Sequence, residues 1–187
     1  KGRHQHVNAA TAIATLRCVF GASFPVAAIE RGLQSVEWPA RLQRLHGALL
    51  AHVPRDAELW LDGGHNEDGA RALAAAIGEM EEKAPRPLVL VLGLMARKDA
   101  AAILEPFRGL AQEIYAVDIP DSTVARKAED LAATARAIGL PAACAGTVPE
   151  TLRFIAARPW LKPPRILIAG SLYLAGEVLR LDGALPK

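Results

Sequence analysis

Along the chain, short apolar runs alternate with longer segments in which apolar residues return every three or four positions. The runs at 58–61, 88–92, 113–117 and 165–169 are too short for helices and end in turn residues, so they predict strands. A weaker strand is predicted at 142–145, and part of 42–53 supplies another. The periodic segments predict helices at 67–82, 100–107, 123–138, 149–157 and 171–179. In the first, Ala70, Leu73, Ala74 and Ile77 recur on one face. In the third, Val124, Ala128, Leu131, Ala135 and Ile138 form a stripe, with Arg126, Lys127, Glu129, Asp130 and Arg136 elsewhere.

Strands separated by helices of this length imply parallel pairing through right-handed crossovers. The strand within 42–53 is different. It joins the next through Pro54-Arg55-Asp56, which predicts an antiparallel hairpin at the sheet edge. The expected fold is α/β and doubly wound, with a mostly parallel six-stranded sheet and one antiparallel edge strand.

Before this pattern begins, residues 8–20 and 25–33 predict two helices, the second opened by Phe24-Pro25 with Gly32 near its end. Ser35 to Pro39 is extended, because the residue before a proline is pushed out of the helical region. A short helical arm over residues 1–38 and a domain over 39–187 follow, with the boundary between 34 and 39. The chain opens on Lys1, in what reads as the middle of a helix, so it is expected to be cut from something longer.

Its 187 residues suffice for one core. Hydrophobic residues make up 51% and aromatics 5%, which assigns the core to Ala, Leu, Val and Ile. A formal charge of +2, with basic and acidic residues interleaved, gives no reason to expect nucleic acid as a partner. No apolar run approaches the roughly 20 residues of a membrane span, and no signal segment is seen. A cytoplasmic monomer without membrane contact is expected. Cys18 and Cys144 lie far apart without metal-ligand spacing and are expected to be buried thiols.

Candidate chemistry concentrates where strands end. Leu61-Asp62-Gly63-Gly64-His65-Asn66 is a strand, turn and helix start, with Asp62 and His65 placed to meet a ligand and Asn66 suited to cap the helix. Asp62 has a competing role, bracing the turn. Three further clusters, Gly93 to Asp99, Asp118 to Ser122 and Gly170-Ser171, also follow strand ends. Lys98 has the charge for a phosphate or carboxylate, with Asp99 capping the next helix; Ser171 offers a hydroxyl at a helix start, or a plain N-cap. His4 and His6 form an HxH pair with no third ligand beside it, so no metal site is expected. Neither GxGxxG nor GxxxxGK[ST] occurs, so the chain has no self-contained dinucleotide or triphosphate cradle.

The segments His4-Gln5-His6-Val7-Asn8-Ala9-Ala10, Trp38-Pro39-Ala40-Arg41-Leu42 and Leu61-Asp62-Gly63-Gly64-His65-Asn66 resemble successive signatures of the folylpolyglutamate synthase and dihydrofolate synthase family, within the Mur-ligase superfamily. Leu92-Gly93 with Lys98-Asp99, and Gly170-Ser171-Leu172-Tyr173-Leu174, resemble its central loop and its last strand and helix. The chain departs from the family at Ala40, where glycine is usual, at Gly64, where alanine is usual, and at Arg97, where an acid is usual.

The resemblance implies the Rossmann-like C-terminal domain of a Mur-type ligase, preceded by the last helices of a central ATPase domain. The implied activity is ATP-dependent addition of L-glutamate to dihydropteroate or folates through an acyl phosphate. The P-loop and the Mg2+ ligands would lie in an N-terminal part, so the fragment alone is expected to be inactive. Carried over residue by residue, Asn8, Arg41 and Asp62 are nucleotide contacts, His65 is catalytic, and Lys98 and Ser171 are candidates for the substrate side. A peptidoglycan-type Mur ligase domain, or a non-catalytic α/β binding module, are the competing readings.

Overall fold

A computed structural model describes residues 4–185. The chain divides into two compact units, Lys1–Pro39 and Ala40–Lys187. The first unit holds α1 (His4–Phe20) and α2 (Val26–Ser35), joined by a turn in which Gly21 takes φ +87° and the Phe20 and Phe24 rings meet at 5.6 Å. Both helices begin and end within a few residues of expectation. Of α2 only Ile29 is buried; Val7, Val19, Phe20 and Leu33 are exposed.

The second unit is one six-stranded sheet clad by helices on both faces. Its strands are β1 (Gln43–Arg44), β2 (Glu58–Leu61), β3 (Leu88–Leu92), β4 (Ala111–Ala116), β5 (Ala142–Cys144) and β6 (Arg165–Ala169), in spatial order β1-β2-β6-β3-β4-β5. Only the β1–β2 pair is antiparallel. Its helices are α3 (Glu67–Lys83), α4 (Ala100–Leu104), α5 (Ala128–Ala137), α6 (Val148–Ala156) and α7 (Leu172–Asp182). Central strands β3 and β6 are buried at every residue, as their unbroken apolar runs require of strands covered on both sides. Leu88, Leu90, Leu92 and Leu167 face a core shared with α3, α4 and α5. Val89, Val91, Ile166 and Ile168 face a second core with α6 and α7.

That division of helices creates the topological switch. The chain leaves β2 and β3 toward one face and leaves β6, which lies between them, toward the other. The carboxyl ends of β2, β6 and β3 therefore border crevices where ligands bind in open α/β sheets.

Three expectations are corrected. The edge strand is two residues long, and a 3-10 turn, Ala48–His52, separates it from β2, so the pair is not a tight hairpin. That turn is held from α7: Asp182 accepts the Gly47 and Leu49 N–H groups at 3.1 and 3.0 Å. The helix expected from 123 begins at Ala128, because Ala96 and Arg126 donate backbone bonds to the Val124 and Leu94 carbonyls around a Met95–Ala125 bridge. Asp118 then caps α5 from a distance by accepting the Ala128 N–H at 2.9 Å. Finally, Cys18 and Cys144 are exposed, not buried: one lies on a helix with few buried residues, the other on the far edge strand.

At the opposite end of the sheet, Arg165 is fully buried and is held by Glu58 at 2.8 Å, by Glu81 and by the Ala84 carbonyl. Arg86 adds a second cation 3.6 Å from Glu58. Burial alone would raise the Glu58 carboxyl, but hydrogen bonds from Arg165 and Trp60 and the charges of Arg165 and Arg86 outweigh it and hold the group below its ordinary value. Burial and the Glu113 carboxylate push the Tyr115 hydroxyl up to about 12, leaving it a neutral donor to Glu113 at 2.7 Å. The Arg165–Glu58 cluster lies at the amino-terminal ends of β2 and β6, away from the strand ends that carry the candidate residues.

Candidate functional site

The turn after β2 is built by close backbone approach. Gly63 donates its N–H to the Ala40 carbonyl at 2.7 Å, and a side chain there would meet Leu172 of α7 at 2.6 Å from its Cβ. Asp62 is buried; its Oδ2 accepts the Leu42 N–H at 2.7 Å and its Oδ1 the Gly64 N–H at 2.6 Å. Turn bracing and ligand contact were both open to this residue, and both its carboxylate oxygens hold backbone in the structure.

His65 is half-buried, with Nδ1 2.9 Å from the Gly63 carbonyl. A carbonyl only accepts, so Nδ1 carries a proton in this bond and Nε2 is the ring nitrogen it leaves free. Asn66 caps α3 by accepting the Gly69 N–H at 2.7 Å. Glu67 and Asp68 fill the first turn, so this helix start already carries the negative charge its dipole favours.

The turn after β6 touches both neighbours. Gly170 has φ +109°, and a Cβ there would lie 2.6 Å from the Gly93 carbonyl oxygen, so only glycine fits. Ser171 is buried, and its hydroxyl accepts the Tyr173 N–H at 3.1 Å as the cap of α7. Next to it, the loop after β3 ends in Asp99, which caps α4 through the Ala102 N–H at 3.1 Å. Lys98 is half-buried on that loop.

Three of the four strand-end clusters thus meet around β6. The fourth, after β4, lies one strand farther out: its Ile119 sits against Gly93, and its Asp118 supports α5. Arg41 is exposed on the segment that Asp62 holds. Asn8 is exposed on α1 in the other unit, where it bonds Gln5. The side chain of His4 lies outside the described residues, so the HxH pair has no geometry to report.

Sequence reasoning missed Arg126, which it assigned to a solvated helix face. Its Nη2 donates to the Ala96 and Lys98 carbonyls at 3.1 and 2.9 Å, clamping the loop that carries Lys98, while its Nε is buried without a hydrogen-bond partner among the described residues. A single arginine in an apparent amphipathic stripe carries no signal for such a role.

A mostly parallel sheet with an antiparallel edge strand, helices on both faces and its chemistry around the switch at β6 defines a Rossmann-like domain of the Mur-ligase type. The model for the family described as "Dihydrofolate synthetase, C-terminal domain" matches residues 47–181, and the chain belongs to that family of folylpolyglutamate and dihydrofolate synthases. It is 28% identical over 155 residues to folylpolyglutamate synthase of Lacticaseibacillus casei, covering 80% of this chain and 31% of that protein. It is 31% identical over 181 residues to a probable bifunctional folylpolyglutamate synthase/dihydropteroate synthase of Halobacterium salinarum, covering 94% of this chain and 20% of that one. A Mycobacterium tuberculosis folylpolyglutamate synthase, solved with ADP and AMPPCP, superimposes on all of this chain with a TM-score of 0.78 and 27% identity; the match covers 41% of that protein. The chain therefore spans between a fifth and two fifths of the relatives it matches.

Proposed function

We propose that this chain is the C-terminal part of an ATP-dependent ligase that joins L-glutamate to dihydropteroate, to folates or to both. The observation that carries this reading is the meeting of the Asp62–His65 turn, the Gly170-Ser171 turn and the Lys98 loop around β6, in a chain of this family. Residues 1–38 are then the last helices of a central ATPase domain, 39–187 the ligase domain, and 34–39 the hinge between them.

In this scheme the substrate carboxylate attacks the γ-phosphorus of ATP and releases ADP. The amine of glutamate then attacks the acyl carbon, expels phosphate and gives up a proton. Arg41 and Asn8 serve the nucleotide, Arg41 through a guanidinium suited to phosphate oxygens and Asn8 through an amide suited to adenine or ribose. His65, through the Nε2 that the Gly63 bond leaves free, orients the attacking amine or takes its proton. Lys98 attracts a substrate carboxylate, and Ser171 serves the same side from its helix start. Mg2+ would neutralise phosphate charge, with its ligands in the preceding part of the enzyme as the family resemblance implies. Closure of this domain onto nucleotide held there would keep water from the acyl phosphate.

The test is ADP release by the longer protein that contains this chain. Release that requires both glutamate and a pteroate or folate, and is absent from the 187-residue chain alone, supports the reading. Turnover by the isolated chain would overturn the assignment of the ATP site to another part of the enzyme.

A further inference from the structure

Strand β5 is the far edge of the sheet, paired with β4 on its inner side. The Pro141 carbonyl accepts the Ile114 N–H at 2.9 Å and Ala145 donates to the Ala116 carbonyl at 3.1 Å, so residues 141, 143 and 145 bond toward β4. Alternation then turns the N–H and C=O groups of Ala142 and Cys144 outward. Ala143 and Cys144 are exposed, and the strand's side chains are two methyl groups and a thiol. Such an edge is self-complementary. In an antiparallel pair of two copies centred on Ala143, Ala142 of each copy faces Cys144 of the other, and all four outward N–H groups find carbonyls.

One side chain lies across that edge. Arg136 stands exposed in the last turn of α5, and its Nη1 donates to the Ala142 carbonyl at 2.9 Å. The following turn puts it there: Gly139 takes φ +83°, Leu140 is buried in the core, and the chain reverses into β5. A carbonyl can accept a second donor, so this bond alone closes nothing. The guanidinium acts by volume and charge. Its nitrogen stands at the distance a neighbouring strand's N–H would take, and pairing would bring two such cations to Ala142 residues only roughly 8 Å apart. Glu129, whose charge acts on Cys144 from the first turn of α5, could receive a displaced guanidinium across such a pair, but an exposed ion pair contributes little.

We propose that Arg136 is a guard on the β5 edge, and that the partner it keeps off is the same edge of a second copy of this chain. The other edge is protected by brevity, since β1 has two residues. The inference concerns association alone and is independent of the ligase reading.

Sedimentation velocity of the 187-residue chain at rising concentration tests it. Arg136→Ala should associate more tightly than the unsubstituted chain by about tenfold or more, whereas Arg136→Lys, which keeps a charge at the edge, should behave as the unsubstituted chain does. If the alanine variant unfolds, Arg136→Gln, neutral and equally at home in a helix, carries the same expectation. Register gives the second measurement. In a Cys18→Ser, Cys144→Ser background, Ala143→Cys places thiols on directly opposed residues, with Cα atoms about 4.5 Å apart, within reach of a disulfide. Oxidised glutathione should link these chains about tenfold faster when Arg136→Ala is added. Equal association of the Arg136→Ala and unsubstituted chains would overturn the proposal. Tighter association without faster linking at residue 143 would place the contact on another surface and overturn it as well.

Discussion

Ala40 shows how one residue can carry a structural cost in plain sight. Left-handed backbone costs an L-residue roughly 1–2 kcal/mol relative to glycine, and Ala40 adopts it at φ 55°. The resemblance to the family marked this position as one where glycine is usual, and the structure supplies the physical reason. Ala40→Gly relieves that strain but loses a buried methyl group and adds unfolded-state entropy, together about 1–2 kcal/mol. We expect the two to offset, leaving a net change within about 1 kcal/mol of zero, read from the urea midpoint. A loss above about 1 kcal/mol would show that the strain is relaxed in solution. Other residue-scale features were legible beforehand: Asn66 and Asp99 cap their helices as their positions before periodic segments indicate. The two engagements of Asp62 were not, because one partner, Leu42, lies 20 residues away in sequence.

At the scale of elements, the strands were readable because each is a short apolar run between turn residues. Failures came where backbone pairing overrode periodicity. Val124 fits the stripe of α5 yet is 63% exposed, because residues 124–126 exchange backbone hydrogen bonds with the β3 loop. Likewise, of the 42–53 segment expected to hold a strand in part, only Gln43–Arg44 pairs, and residues 48–52 coil into a 3-10 turn held by Asp182, a partner from the far end of the domain. The clamp on the β3 loop yields a prediction. Arg126→Ala removes two hydrogen bonds from a charged donor, so stability should fall by about 1–3 kcal/mol, and the Ala96 and Lys98 amides should exchange faster than those of β3. Unchanged exchange at both amides would show that the backbone bridge holds the loop unaided.

The ion cluster at the other end of the sheet gives an element-scale pH dependence. Glu58 is held below its ordinary value of 4.5 in the folded chain. The unfolded chain therefore binds the proton more readily, and the stabilisation from ionised Glu58 is complete above about pH 4.5 and drains as pH falls through the folded value. The stability difference between the unsubstituted chain and Glu58→Gln should hold above about pH 5 and shrink as pH falls from about 4.5 toward 3. A difference that stays constant over that interval would contradict the assignment.

For the whole molecule, the order β1-β2-β6-β3-β4-β5 is what turns scattered strand ends into a site. The sequence alone indicates strands, helices and turn chemistry, yet not that the last strand inserts between the second and third. That insertion brings Gly170 against Gly93, and Leu172 against Gly63, so the turns that carry His65 and Ser171 and the loop that carries Lys98 adjoin, with Ile119 of the loop after β4 also against Gly93. The reaction site proposed at this end of the sheet centres on His65, whose Nε2 is left free by the Gly63 bond. The most direct test of this placement is glutamate-dependent ADP release by the longer enzyme carrying His65→Ala. The expected result is a fall in kcat on the order of a hundredfold with the KM for ATP little changed. Undiminished turnover would contradict the placement of the reaction at this end of the sheet.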